Sequence, residues 1–189
     1  LGLGHLPLAI THVNEQPRLI QRVSVLYDLL GGDANVYQLI TYNNQTGRFQ
    51  SFSRFEIAHA TSINTLPSNI PLEPHTGVIA IMKRPVTLKL RGDALIGVVP
   101  LSAGLNLVGV PLQSPNLSLI SALTQITGLH GNAVRILSYD GDKFKSFTLG
   151  VDSAGAAGDV PIAGGQAYVI EVNRPTTLQF SGSGWDNVQ

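Results

Sequence analysis

The chain has 189 residues, 43% of them hydrophobic and only 13% charged, about half the charged share of an ordinary soluble domain. Twelve Lys and Arg balance twelve Asp and Glu, so there is no net field to draw in nucleic acid or an acidic membrane. Cysteine is absent, which excludes a disulfide framework, a thiolate nucleophile and cysteine-ligated zinc, and no apolar run reaches the roughly 18 residues of a spanning helix.

The chain opens at Leu1 without an initiator Met or a leader-like segment, as expected of a processed product or the ordered part of something longer. Gly4-His5-Leu6-Pro7-Leu8-Ala9-Ile10 reads as a first strand that Pro7 interrupts, so it is expected at an edge or displaced. Its apolar positions Leu3, Leu6, Leu8 and Ile10 make a candidate assembly strand, able to add to the open edge of a neighbouring sheet. A helix is predicted from Pro17 to Leu30, with Leu19, Val23, Leu26 and Leu30 on one face and Gly31-Gly32 as its stop. Two strands, Gln38-Leu39-Ile40-Thr41-Tyr42 and Phe49-Gln50-Ser51-Phe52, flank a turn at Asn43–Gly47. Ile70-Pro71-Leu72 then leads to a strand at Gly77-Val78-Ile79-Ala80-Ile81 and a last one between Lys83 and Gly92.

The same order recurs downstream. Gly104-Leu105-Asn106-Leu107-Val108-Gly109-Val110-Pro111-Leu112 is an alternating strand ended by Pro. A helix follows over Leu117–Thr127, with Leu119, Leu123 and Ile126 on one face, Asn116 or Ser118 as its cap and Gly128 after its end. Arg135-Ile136-Leu137-Ser138-Tyr139 and Phe144-Lys145-Ser146-Phe147 flank Asp140-Gly141-Asp142, a strong hairpin signal. After a Gly/Ala/Ser-rich loop over Gly150–Asp159 come Val160-Pro161-Ile162, Ala167-Tyr168-Val169-Ile170-Glu171 and Asn173-Arg174-Pro175-Thr176-Thr177-Leu178. The expected fold is mostly β, α+β by strict count. It comprises two tandem units, residues 1–98 and 99–189, each with about five strands in a curled sheet or sandwich and one short helix. Set head to tail, such units present unlike ends, a geometry that propagates unless its rotation closes.

The second unit resembles a tandem module of large secreted and surface proteins of Poribacteria and related bacteria. The resemblance rests on Gly104-Leu105-Asn106-Leu107-Val108-Gly109-Val110-Pro111-Leu112, on Pro161-Ile162-Ala163-Gly164-Gly165-Gln166-Ala167-Tyr168 and on Phe180-Ser181-Gly182-Ser183-Gly184-Trp185-Asp186-Asn187. The first unit departs from it, with Glu73-Pro74-His75-Thr76-Gly77 in the second segment and no Trp after Gly92. The resemblance implies surface location and array-building, and it brings no catalytic residue.

The chemistry-bearing residues point the same way. His5, His12, His59, His75 and His130 lack metal-ligand spacing, and ordinary loop histidines account for them. Asp140, Asp142, Asp152 and Asp159 are the nearest approach to a calcium cluster, but the first unit has Asn43 and Asn44 at the hairpin, so turn chemistry explains them better. Ser181-Gly182-Ser183-Gly184 lacks the helix a nucleophile elbow needs, and Glu15, Glu56 and Glu171 show no pairing suited to glycoside hydrolysis. Arg91-Gly92-Asp93 falls at a strand end, where chance explains it, and the sequons at Asn44 and Asn116 permit glycosylation of an exported chain.

Tyr139, Tyr168 and Trp185 are candidate ligand-stacking residues, set against core packing as the commoner role. The expectation is therefore a non-catalytic extracellular or cell-surface structural protein, such as a self-assembling subunit of a filament, sheath or matrix, without a cofactor or membrane span. The alternative is a glycan- or ligand-binding module of a larger secreted protein. Partners would be copies of itself, neighbouring repeats of a larger surface protein, or glycans.

Overall fold

Alternation builds the first sheet. In β2 (Val36–Asn43) the side chains of Val36, Leu39 and Thr41 are buried, and β3 (Arg48–Ser53) sets Phe52 directly opposite Leu39. β4 (Gly77–Met82) is buried along nearly its whole length, as suits a strand with a neighbour on each side. The computed structural model describes residues 5–9, 22–43, 46–72, 75–88, 98–110, 120–123, 131–139, 141, 143–180 and 182. It is mostly β, built from antiparallel sheets.

Two four-stranded sheets share one topology. The first runs β1 (His5–Ala9), β4, β2, β3; the second runs β6 (Gly104–Gly109), β9 (Ala167–Val172), β7 (Ala133–Tyr139), β8 (Phe144–Thr148). Each carries an irregularity at the same rung, between Val36 and Gln38 in one and between Ala133 and Arg135 in the other. Each hairpin ends on an edge-to-face aromatic pair, Tyr42–Phe49 at 5.0 Å and Tyr139–Phe144 at 4.9 Å between centroids. A third, two-stranded ladder joins β5 (Val98–Leu101) to β10 (Thr176–Gln179) and places Val99, Leu101 and Leu178 in the second core.

One short helix lies against each core. In α1 (Val23–Leu29) the residues Val23, Leu26 and Tyr27 are buried, and Gly31, at φ 94°, takes the left-handed turn that ends it. Tyr27 meets Phe52 edge to face at 5.4 Å. Full burial of Leu26, Leu39 and Phe52 contributes about 1.5–3 kcal/mol for each side chain. In α3 (Ile120–Leu123) the fully buried Ile120 fills the equivalent place. Cap residues Asn116 and Ser118, and helical positions Leu19 and Ile126, lie outside the described residues.

Several features differ from the sequence expectations; one is that residues 83–88, where a last strand is expected between Lys83 and Gly92, are irregular among the described residues. The first unit has a second helix, α2 (Arg54–His59), followed by a 3-10 turn (Ile63–Thr65), between the hairpin and the next strand. The helix follows from Ser53-x-x-Glu56, whose Glu56 Oε2 accepts the Ser53 amide at 3.0 Å. The candidate assembly strand is placed in part. Leu6 and Leu8 sit on β1, which lies antiparallel along β4 of its own unit, with Pro7 opposite Ile79 at the sheet edge; Leu3 and Ile10 lie outside the described residues. Without β1, one side of β4 would lose its ladder partner, and closing that ladder within the chain avoids the entropy of recruiting a second molecule.

The first strands of the two units lie against one another. β4 touches β6 and β9, while β1 touches β9 and β6, so each patch meets its own equivalent on the other unit. The Gly109 amide donates to the His75 carbonyl at 2.8 Å, and Thr76 bridges to Val108. Gly77 lies close against Leu107 and its own equivalent, Ala167.

Candidate functional site

The residues singled out by sequence have ordinary structural roles wherever they are described. Tyr168 is only 1% exposed, and its hydroxyl donates to Pro161 O at 3.1 Å while accepting the Ala163 amide at 3.2 Å. Burial raises its pKa, against the pull of the Ala163 amide. A ring so enclosed offers no face to a ligand, so its stacking role is withdrawn. Tyr139 packs on Phe144, and its hydroxyl donates to the Gly141 carbonyl at 3.1 Å. Trp185 lies outside the described residues.

The motif residues behind the resemblance hold turns as well. Asn106 is buried, accepts the Ser102 amide at 2.9 Å and donates to Ser102 O and Gly104 O at 2.8 and 3.1 Å. Gly104 has φ 93°, a conformation that favours glycine.

His59 faces the Phe55 carbonyl at 2.6 Å from Nδ1, and the His75 carbonyl serves the seam between units. His12, His130, Asp140 and Asp142 lie outside the described residues, and His5 is placed only by its backbone on β1. Asp152 accepts the Thr148 amide at 2.6 Å. Glu171 pairs with Arg135 at 2.8 Å on the surface, and Asp33 pairs with Lys83 at 2.8 Å and with Arg54. Lys83, then Arg54, holds the Asp33 carboxyl below its usual range. Among the described residues no three His, Cys, Asp or Glu gather as metal ligands, and no helix is long and apolar enough to cross a membrane.

The most connected polar arrangement is duplicated. In the first unit Val23 N donates to Ile70 O at 3.2 Å, and Ser24 N donates to Asn69 Oδ1 at 2.9 Å. In the second, Ile120 N donates to Val160 O at 3.1 Å, and Ser121 N donates to Asp159 Oδ1 at 2.8 Å. A distant loop thus satisfies the exposed amides at the start of each helix. Asp159 Oδ2 also accepts Ser121 Oγ at 2.7 Å and Gly155 N at 2.8 Å. Burial alone would raise its pKa, but these bonds outweigh it and hold the carboxyl below the usual range.

The same loops treat the two outer sheet edges differently. In the second unit Gly158 presses on β8: a Cβ there would stand 1.8 Å from Ser146 O and 2.5 Å from Ser146 C. Main-chain atoms cannot yield that far, so Gly158→Ala should lift the loop and cost about 1–3 kcal/mol, read as a lower midpoint in thermal or urea unfolding. A midpoint unchanged from wild type would mean that the loop is not seated there. In the first unit Ser68 occupies the equivalent position, and the loop stands off β3.

The result is a recess of about 260 Å³ lined by Phe49, Gln50, Ser51, Glu56, Leu66, Pro67 and Ser68. Ser68 is 5% exposed, and among the described residues neither its Oγ nor the buried Gln50 Oε1 has a hydrogen bond of good geometry. The Ser68 hydroxyl faces the Glu56 carboxylate without closing a well-formed bond. Burial pushes the Glu56 carboxyl up, against the Ser53 amide and Ser68 hydroxyl that pull it down. Phe49 is 46% exposed at the rim. Of these residues the sequence singles out only Glu56, and for a different chemistry; the one legible signal nearby is the Ser53-x-x-Glu56 box. Comparison with known proteins returns no matching family model, no matching curated protein and no matching solved structure.

Proposed function

We propose that this chain is a non-catalytic structural module of an extracellular or cell-surface protein, in which two copies of one β unit are joined back to back as a stiff building block. The observation that carries this reading is what the two copies share. Helix anchors at Asn69 and Asp159, hairpin clamps at Tyr42–Phe49 and Tyr139–Phe144, and the paired bulges all hold the backbone in place. Low charge and export-compatible sequons agree with a surface setting. So does the resemblance to tandem surface modules, whose signature residues Asn106 and Tyr168 close turns. Its partners on this reading are neighbouring repeats of the same surface protein.

Antibody labelling of intact cells of the source organism tests the setting. Label is expected without permeabilisation, and label only after permeabilisation would overturn the proposal.

A further inference from the structure

We propose that β3 of the first unit is a docking edge and that its occupant is β3 of a second copy, paired antiparallel across a two-fold axis. Edge strands present a row of unpaired amides and carbonyls, which proteins protect with prolines, charges, bulges or covering segments. The other outer strands of the two four-stranded sheets are protected in these ways. β1 carries Pro7 opposite Ile79 and lies against β6 and β9. β6 is bridged at Val108 by Thr76, and its Gly109 amide donates to the His75 carbonyl. β8 carries Lys145 and is covered at Ser146 by Gly158. In the small third ladder, β5 and β10 are only four residues each, and β5 contains Pro100.

β3 has none of these protections. Between Phe49 and Ser53 there is no proline and no charge, and the register with β2 is unbroken. The direction of its outer groups is fixed at two places. Ser53 N donates to Glu56 Oε2, away from β2, and Ser146 O, the equivalent of Ser51 O, faces Gly158, away from β7. Main-chain groups alternate in side along a strand, so those of Phe49 and Ser51 point outward together. Among the described residues no main-chain bond reaches them on that side. Phe49 is 46% exposed and Ser51 is half-buried, so neither is enclosed.

A copy of the same strand matches this pattern. With Gln50 on the axis, Phe49 of each copy faces Ser51 of the other, and each such pair exchanges both its bonds. A shift of two residues either way would call on Gly47, whose amide Asn43 O already accepts, or on Ser53, whose amide Glu56 holds. Charge agrees with this register. Gln50 meets Gln50 without repulsion, whereas the equivalent Lys145 would set like charges opposite one another. The chain has no net charge to keep copies apart. One open edge per chain closes the pairing at a dimer. The pairing is independent of where the protein resides.

A contact of this size has a dissociation constant on the order of 0.1–1 mM. Sedimentation equilibrium on the whole chain, up to about 1 mM, is expected to show monomer and dimer and nothing larger. Gln50→Lys, which copies the sister unit, should weaken the dimer at least tenfold. The chain has no cysteine, so Gln50→Cys supplies a single thiol. On the axis its Cα would stand about 4.5 Å from its counterpart, within reach of a disulfide, and copper phenanthroline in air should link the copies. Lys145→Cys, on the covered edge of β8, should stay unlinked under the same conditions. A chain that remains monomeric at about 1 mM would overturn the proposal. So would a dimer indifferent to Gln50→Lys, growth past a dimer, or equal linking of Gln50→Cys and Lys145→Cys.

Discussion

Exchanging one side chain between the equivalent helix anchors, Asn69→Asp in the first unit and Asp159→Asn in the second, is expected to destabilise the protein both times, with both losses largest at neutral pH and smaller on acidification. The two residues occupy one position but use it with opposite polarity. Asn69 accepts Ser24 N through Oδ1 and donates from Nδ2 to the Ile63 carbonyl at 3.0 Å. Asp159 only accepts, from two amides and one hydroxyl. An aspartate at 69 would set a carboxylate oxygen against the Ile63 carbonyl at a position only 1% exposed. Arg22 lies near, but its Nη1 is engaged with the Asn69 carbonyl at 2.7 Å, so compensation is partial. A buried, poorly compensated charge costs about 3–5 kcal/mol. An asparagine at 159 would turn an NH₂ group toward either Ser121 N or Gly155 N, leaving one amide unmet at about 1–3 kcal/mol.

The pH slopes follow from which state holds the proton more tightly. For native Asp159 the folded pKa lies below the unfolded value of about 3.9. Its stabilisation is therefore complete above that value and lost as pH falls through the folded pKa. For Asn69→Asp the geometry reverses the sign, because only the protonated acid can donate to Ile63 O. Its folded pKa should be raised, so stability returns on acidification and is lost as pH climbs through that pKa. Glu56, whose carboxyl is pushed up by burial, acts in the same direction as the carboxyl introduced by Asn69→Asp. In the native chain, then, acidification favours the folded state through Glu56 in the first unit and disfavours it through Asp159 in the second. Urea midpoints at pH 7 and near pH 4 measure all of this. Equal losses for Asn69→Asp at both values would show that the new carboxylate is solvated and the anchor is not buried as described.

Much of this fold is written in local pattern, and the parts that are not share one cause. The stripe of Val23, Leu26 and Leu30, the glycine stop at Gly31 and the alternation of β2 and β7 are short-range signals, and the structure follows them. Duplication doubles each signal, which is why corresponding strands align from sequence with no knowledge of sheet order. α2 is also written locally, in Ser53-x-x-Glu56, but its six residues are too short to show a helical period beside the alternation of β3. The docking of β1, the reciprocal seam and the recess depend on distances between segments far apart in the chain. Nothing in Ser68 or Gly158 alone announces that one loop lies on its strand and the other stands away. Tyr168 shows the converse error: an aromatic in a recognisable motif suggests a ligand, whereas its hydroxyl closes a loop seven residues away at Pro161.

The seam between the units predicts the other large effect. At Gly77 a Cβ would lie 2.7 Å from Leu107 Cγ, 3.1 Å from Ala167 Cβ and 3.1 Å from the Leu107 carbonyl carbon. The leucine side chain can swing away, but the backbone and the β-carbon cannot, so Gly77→Val must push β4 from β6 and β9. Overpacking of this kind costs about 1–3 kcal/mol. Because the cost falls on the contact between units and not on either core, unfolding should change character: one cooperative transition in the native chain, two resolved transitions in Gly77→Val. Gly77→Ala should show a weaker form of the same change. Since residues 77 and 167 are equivalent and touch, adding Ala167→Gly to Gly77→Ala should recover the share due to Ala167 and leave the share due to Leu107. A double-mutant cycle isolates that coupling, expected at about 0.5–1 kcal/mol in the restoring direction. Additive single effects, together with one undivided transition in Gly77→Val, would mean that the two units are held together elsewhere.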